Sequence, residues 1–133
     1  MSAATSPHFS ERELACHHCG VSRVIPELVA VLEAIREVVG RPLIVRSAYR
    51  CPEYNAAAGG APDSQHVHGL AADISVLGMT ARELYRIAAE VPGVKGLGVD
   101  DAGDYLHVDV RERETLARWC YGTGGRVVPF YET

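Results

Sequence analysis

The stretch Ser64-Gln65-His66-Val67-His68-Gly69-Leu70-Ala71-Ala72-Asp73 sets two imidazoles and a carboxylate into an otherwise small, apolar segment. Imidazole and carboxylate together form a donor set for a divalent metal such as zinc. On a straight strand His66 and Asp73 would stand roughly 23 Å apart. Ligand atoms of one zinc lie about 3–4 Å from each other, because each is about 2 Å from the metal. A shared metal therefore requires the chain to fold back between them. Gly69 permits such a turn, and Ala71 and Ala72 leave room for close packing.

A second cluster follows at Asp104-Tyr105-Leu106-His107-Val108-Asp109-Val110. Its alternation reads as a strand with Tyr105, His107 and Asp109 on one face and Leu106, Val108 and Val110 on the other. His66, Asp73 and His107 then make a two-histidine, one-carboxylate set. Such a set leaves a fourth position for water, as a catalytic zinc does, although spacing alone does not exclude manganese or iron. A single histidine is more often structural than ligating, so the argument rests on the joint pattern. His68 competes with His66, since it lies two residues on and could point to the same face. Asp109 shares a face with His107 and is placed to accept its remaining ring N–H. Ser64 and Gln65 either hydrogen-bond a peptide substrate or only shape the turn.

The pattern Ser64-x-His66-x-x-Gly69-x-Ala71-x-Asp73, followed by His107-x-Asp109 on a strand, resembles the zinc D-alanyl-D-alanine carboxypeptidase family. That family includes phage and bacterial peptidoglycan peptidases and shares its fold with the hedgehog signalling domain. Upstream, Ser47-Ala48-Tyr49-Arg50-Cys51-Pro52-Glu53-Tyr54-Asn55 is similar to the family's Ser-x-Tyr-Arg segment. The similarity covers about residues 9–111. It implies that zinc is held by His66, three residues before the glycine, with Asp73 and His107, and that His68 is a neighbouring or surface residue. It implies that Asp104, at the Asp/Glu-x-x-His position, takes the proton of zinc-bound water as general base. The residue reading alone makes Asp104 a turn residue after Gly103. The resemblance also implies that Arg50 supports the substrate and the developing oxyanion, a role suited to a permanently charged, forked guanidinium. Otherwise Arg50 is a surface ion-pair residue, with Glu53 as its nearest partner in sequence. The implied substrate is a peptidoglycan stem peptide or cross-link, cleaved by a carboxypeptidase or an endolysin-type endopeptidase. The competing reading is a non-catalytic, zinc-stabilised binding module of the hedgehog-like type.

At 133 residues the chain is expected to be a single domain, with residues 1–8 a loose tail and the peptidase-like domain at 9–133. Hydrophobic residues make up 47% and charged residues 23%, and the net charge is −4, so no basic surface favours nucleic acid. No apolar run approaches the ~20 residues of a membrane span. We therefore expect a monomer with no nucleic-acid or membrane partner. The start of the sequence has neither the basic nor the apolar region of a signal peptide, so the expectation is a product made in the cytoplasm that reaches the wall by release or lysis.

Cys16-His17-His18-Cys19 has the spacing of a zinc knuckle, but a matching second pair is missing. Cys51 and Cys120 are far apart in sequence, so Cys16 and Cys19 would hold a structural metal only if the fold collects a further ligand. Reduced, mostly buried thiols are the plainer expectation.

The elements that must position these groups follow from caps and periodicity. Ser10-Glu11-Arg12-Glu13 and Thr80-Ala81-Arg82-Glu83 are capping boxes that start helices, the second running to about Glu90 with Leu84, Ile87 and Ala88 inward. A helix from Pro26 to Gly40 buries Leu28, Val31, Leu32, Ile35 and Val38. Strands are expected at 42–47, 71–76, 96–99 and 105–110, the last two as a hairpin, with an edge strand at 127–130. A long loop spans residues 49–65, and a short helix containing Trp119 spans 112–120. The sum is an α+β domain, a mainly antiparallel sheet with helices packed on it, and the resemblance implies a hedgehog/DD-peptidase-like fold.

Overall fold

Among the described residues, two of the four α-helices begin where a side chain caps them. In the computed structural model, which describes residues 6–57 and 64–132, Ser10 starts α1 (Glu11–Leu14) and Thr80 starts α4 (Ala81–Ala88). Each hydroxyl accepts from the backbone of the glutamate three residues on, and that glutamate, Glu13 or Glu83, reaches back to the cap. The longest helix, α2 (Pro26–Val39), opens on proline and closes at Gly40, whose φ of 73° suits a residue without Cβ. A fourth helix, α3 (Pro52–Ala57), lies inside the segment expected to be a loop. The glycine- and proline-containing part of that loop, residues 58–63, lies outside the described residues.

Six strands form one sheet: β1 (Ile44–Ser47), β2 (Ala71–Ser75), β3 (Gly96–Asp100), β4 (Tyr105–Asp109), β5 (Ala117–Tyr121) and β6 (Val127–Pro129). Their spatial order is β1-β2-β4-β3-β5-β6. All neighbours are antiparallel except β3 and β5, which run parallel, so this is a mixed sheet in an α+β domain. The segment expected to be a helix around Trp119 is β5. Its parallel partner is two strands back in sequence, and that non-local pairing overrides a weak local pattern.

One face of the sheet is apolar. Ala72 and Ile74, Leu97 and Val99, Leu106 and Val108, and Cys120 are buried there with Leu28, Val31, Leu32 and Ile35 of α2 and Leu84 and Ala88 of α4. On α2, Val29 is buried and Val38 is 65% exposed, so the apolar stripe turns away from the helix end. On α4, Tyr85 and Arg82 are buried while Ile87 is only half-buried. Arg82 is satisfied by a forked pair to Asp101 at 2.9 and 3.1 Å and by the Tyr131 carbonyl.

The expected loose tail is anchored where it is described. Glu33 of α2 accepts from Ser6 Oγ at 2.6 Å, from His8 N at 2.7 Å and from the His8 ring at 2.6 Å. Residues 1–5 of that tail lie outside the described residues. Among the described residues no helix is long and apolar enough to cross a membrane.

Candidate metal centre

The opposite face of the sheet carries the chemistry, and strand register puts it in one row. Ser47 pairs with Asp73, Asp73 with His107, His107 with Gly98, Gly98 with Trp119, and Trp119 with Pro129. Because directly opposed residues share a face, this row runs straight across all six strands on the side away from the apolar core. Asp73 and His107 are thus cross-strand neighbours despite their separation in sequence.

His66 reaches the row from a turn. Backbone bonds Val67 N–Ser64 O (3.1 Å), His68 N–Gln65 O (3.2 Å), Gly69 N–His66 O (3.2 Å) and Leu70 N–Gln65 O (3.0 Å) coil residues 64–70 before β2 begins. Gly69 has φ 75°, and a Cβ there would meet the Arg23 carbonyl oxygen at 2.0 Å. No other residue fits this position without moving the turn, so the fold-back required between His66 and Asp73 depends on Gly69.

One donor atom each from His66, Asp73 and His107 falls within 4.8 Å of the other two, and all three residues are buried. Asp73 Oδ1 is 3.2 Å from His66 Nε2 and 3.2 Å from His107 Nδ1. The far nitrogen of each ring is already engaged. His66 Nδ1 donates to the Ala48 carbonyl at 2.7 Å, and His107 Nε2 donates to Asp109 Oδ2 at 2.7 Å. These bonds fix the tautomers and leave His66 Nε2 and His107 Nδ1 as lone-pair donors aimed at a common point beside Asp73. Two neutral imidazoles and one carboxylate, with their outer nitrogens occupied, fit a zinc ion.

A supporting layer holds the three. Asp109 is fully buried and takes Arg111 through a fork, Nε to Oδ1 at 2.8 Å and Nη2 to Oδ2 at 2.7 Å. Gly96 lies directly opposite, where a Cβ would come within 2.3 Å of the Asp109 carboxylate. Arg50 donates from Nη2 to Asp73 Oδ2 at 3.3 Å, from Nε to Ser47 Oγ at 3.0 Å and from Nη1 to Asn55 Oδ1 at 3.4 Å. It therefore grips the oxygen of Asp73 that faces away from the imidazoles. Its acidic partner is Asp73, not Glu53.

The electrostatics follow from these contacts. Burial opposes ionisation of Asp73, but hydrogen bonds and charge from His107 and His66 outweigh it and hold the carboxyl far below its usual range. Asp109 is depressed in the same way, burial being outweighed by Arg111 and His107. His107 loses solvation on burial, yet Asp109 and Asp73 raise it to about 9. A metal cation would take the place of the Nδ1 proton beside Asp73, while Asp109 keeps the proton on Nε2.

Asp104 lies outside this cluster. It has φ 55° in the turn between β3 and β4, and its Oδ1 accepts from Ala81 N at 2.9 Å, at the first residue of α4. The carboxylate is thus turned to the helix on the core face, which fits the turn-residue reading better than the general base. His68 is exposed and is not one of the clustered donors. Ser64 Oγ accepts from His66 N at 3.2 Å and so shapes the turn, and Gln65 is half-buried beside it. Cys16 and Cys19 are brought together with Cys51, away from Cys120.

Trp119 and Tyr121, on the aromatic side of the site, were missed in the sequence. Trp119 lies over Gly98, where a Cβ would meet its Nε1 at 2.4 Å, and its ring is 5.4 Å from that of His107. Arg111 stacks on it at 4.9 Å. Tyr105 and Tyr121 stand 6.2 Å apart on the same face. Burial pushes the Tyr121 hydroxyl up to about 12, helped by the charges of Asp73 and Asp109, and raises Tyr105 further, with Asp73 and Asp100. Reading residues 117–121 as a strand would have put Trp119 and Tyr121 on the His107 face by alternation.

Residues 7–109 match the profile of the family described as peptidase M15. The chain belongs to the peptidase M15 family. Comparison with curated proteins found no match. The M15 region runs from the anchored N-terminal segment through Asp109 and contains His66, Asp73, His107 and the groups that hold them. It ends before β5, so Trp119 and Tyr121 lie outside the matched residues.

Proposed function

We propose that this M15 domain is a zinc metallopeptidase that hydrolyses a peptide bond in peptidoglycan stem peptides or cross-links, as a D-Ala-D-Ala carboxypeptidase or an endolysin-type endopeptidase. The observation that carries the reading is the convergence of His66, Asp73 and His107 with both outer ring nitrogens occupied, by Ala48 O and Asp109. Zinc in such a set supplies a Lewis acid for a scissile carbonyl and an acidified water.

The chain's own residues do the rest. Asp109, itself locked by Arg111, keeps Nε2 of His107 protonated and Nδ1 free. Arg50 holds Asp73 in orientation and keeps a fixed positive charge beside the site. Tyr105 and Tyr121 remain protonated at neutral pH, so each offers an O–H donor to a substrate carbonyl rather than a base. Trp119 gives the site a flat apolar wall beside His107. The partner is a peptide substrate met by a monomer, without nucleic acid or membrane.

A second reading has one observation in its favour. With its carboxylate on Ala81 N, Asp104 is not disposed towards the ligand set, which suits a zinc-stabilised binding module without hydrolysis. A synthetic stem peptide separates the two. The peptidase cleaves it when zinc is restored to chelator-stripped protein, and His66→Ala is inert. Zinc-loaded protein that binds the peptide but leaves it intact supports the module.

A further inference from the structure

Three thiols meet at the residue that follows Arg50, and the proposed peptidase activity makes no use of them. Sγ atoms of Cys16, Cys19 and Cys51 all lie within 4.8 Å of one another, and Cys16 and Cys51 are 3.7 Å apart. Sulfurs sharing a tetrahedral zinc at about 2.3 Å stand about 3.8 Å from each other. The fold therefore supplies the third ligand that the Cys16–Cys19 spacing lacks.

The local backbone is shaped for a bound cation. Cys16 O accepts from Gly20 N at 2.9 Å and Cys16 N donates to Val21 O at 2.8 Å, a tight turn that swings Cys19 back towards Cys16. Gly20 at φ 74° closes it. Cys51 N donates to Cys16 Sγ at 3.4 Å. His18 Nδ1 is 3.6 Å from Cys51 Sγ, with its ring stacked on Tyr54 of α3 at 6.3 Å between centroids. A disulfide between Cys16 and Cys51 would leave Cys19 without a role, whereas one soft cation uses all three thiols and has His18 beside Cys51.

We propose that Cys16, Cys19 and Cys51, with His18 as fourth donor, hold a second zinc whose role is structural. Four protein ligands close the coordination sphere, unlike the His66–Asp73–His107 set. The two sites share no residue, so this inference stands apart from the proposed hydrolysis. The ion joins the segment after α1 to the residue that follows Arg50. Tyr49 N bonds Leu14 O at 3.3 Å across the same seam, and Arg50 N bonds His66 O at 3.2 Å. The cysteine site thereby steadies the backbone from which Arg50 reaches Asp73.

The test is metal analysis of full-length protein expressed with ample zinc and purified under reducing, chelator-free conditions. Wild type carries two zinc ions per chain. His66→Ala/His107→Ala keeps one, and its zinc X-ray absorption spectrum is that of three sulfurs and one nitrogen. Cys51→Ser also keeps one, with only nitrogen and oxygen neighbours. Cobalt(II)-loaded wild type shows thiolate-to-metal charge transfer in the near ultraviolet, a readout that holds even where a cysteine variant fails to fold. No zinc in the double histidine variant, zinc without sulfur neighbours, or a cobalt spectrum without the thiolate band overturns the proposal.

Discussion

Asp73 and His107 stand directly opposite each other on β2 and β4, with Asp73 Oδ1 3.2 Å from His107 Nδ1. A slip of one residue in this pairing would turn the side chains of the slipped strand over and put Asp73 and His107 on opposite faces. The register is held by Ala72, Ile74, Leu106 and Val108, which are fully buried on that face. Core packing on one side of the sheet thus aligns Asp73 and His107 on the other.

Gly69→Ala tests how His66 is delivered. The new Cβ meets the Arg23 carbonyl at 2.0 Å in a left-handed backbone. We expect a loss of about 2–3 kcal/mol in denaturant unfolding, from strain and the displaced turn. Zinc content should fall with it. Wild-type stability and zinc in this variant would mean that the turn relaxes freely.

Gly96→Ala and Asp109→Asn test the support of His107 from two sides. The first crowds the Asp109 carboxylate, and the second replaces the anion that fixes the His107 tautomer. Both should lower zinc affinity by about 10–100-fold, as loss of an outer carboxylate does. Competition with a chelator measures it. An unchanged affinity in Asp109→Asn would show that the ring needs no such partner.

Asp104→Asn distinguishes a turn residue from a general base. Asn tolerates the positive φ and can still accept from Ala81 N. We expect folding, zinc content and any hydrolysis to stay close to those of the parent. Asp73→Asn should instead lose zinc, because a neutral amide is a poor ligand. A fall in rate of about 10²–10⁴ in Asp104→Asn at full zinc content would assign it the proton transfer.

The Glu33 anchor gives a pH dependence. Burial alone would raise this carboxyl, but Ser6 and His8 bind its charged form and lower it below its ordinary value of 4.5. A carboxyl depressed on folding adds stability that is present above its unfolded pKa and is lost as pH falls through the folded one. Wild type should therefore lose stability to acid below about pH 4.5 more steeply than Glu33→Gln. Parallel acid titrations of unfolding would contradict this.

The candidate ligands were legible because their chemistry is local. His66-x-x-Gly69 needs a turn, and Tyr105, His107 and Asp109 alternate along one strand. The supports were hidden because they belong to tertiary structure. Ala48 holds His66 through its backbone, which no side-chain pattern announces. Asn55 is buried on a helix with no apolar stripe, where it serves Arg50. Trp119 joins the row only through the parallel pairing of β5 with β3. Asp104 sits in the turn before β4 at positive φ, outside the alternation that aligns Tyr105, His107 and Asp109, so spacing alone did not tell where it points.

The most direct test of the central claim is digestion of purified peptidoglycan by zinc-loaded protein, with mass spectrometry of the released fragments and His66→Ala as control. The account predicts stem peptides or cross-links cut at one type of peptide bond by the parent and not by the variant. Fully zinc-loaded, folded protein that leaves every peptide bond of the wall intact would contradict it.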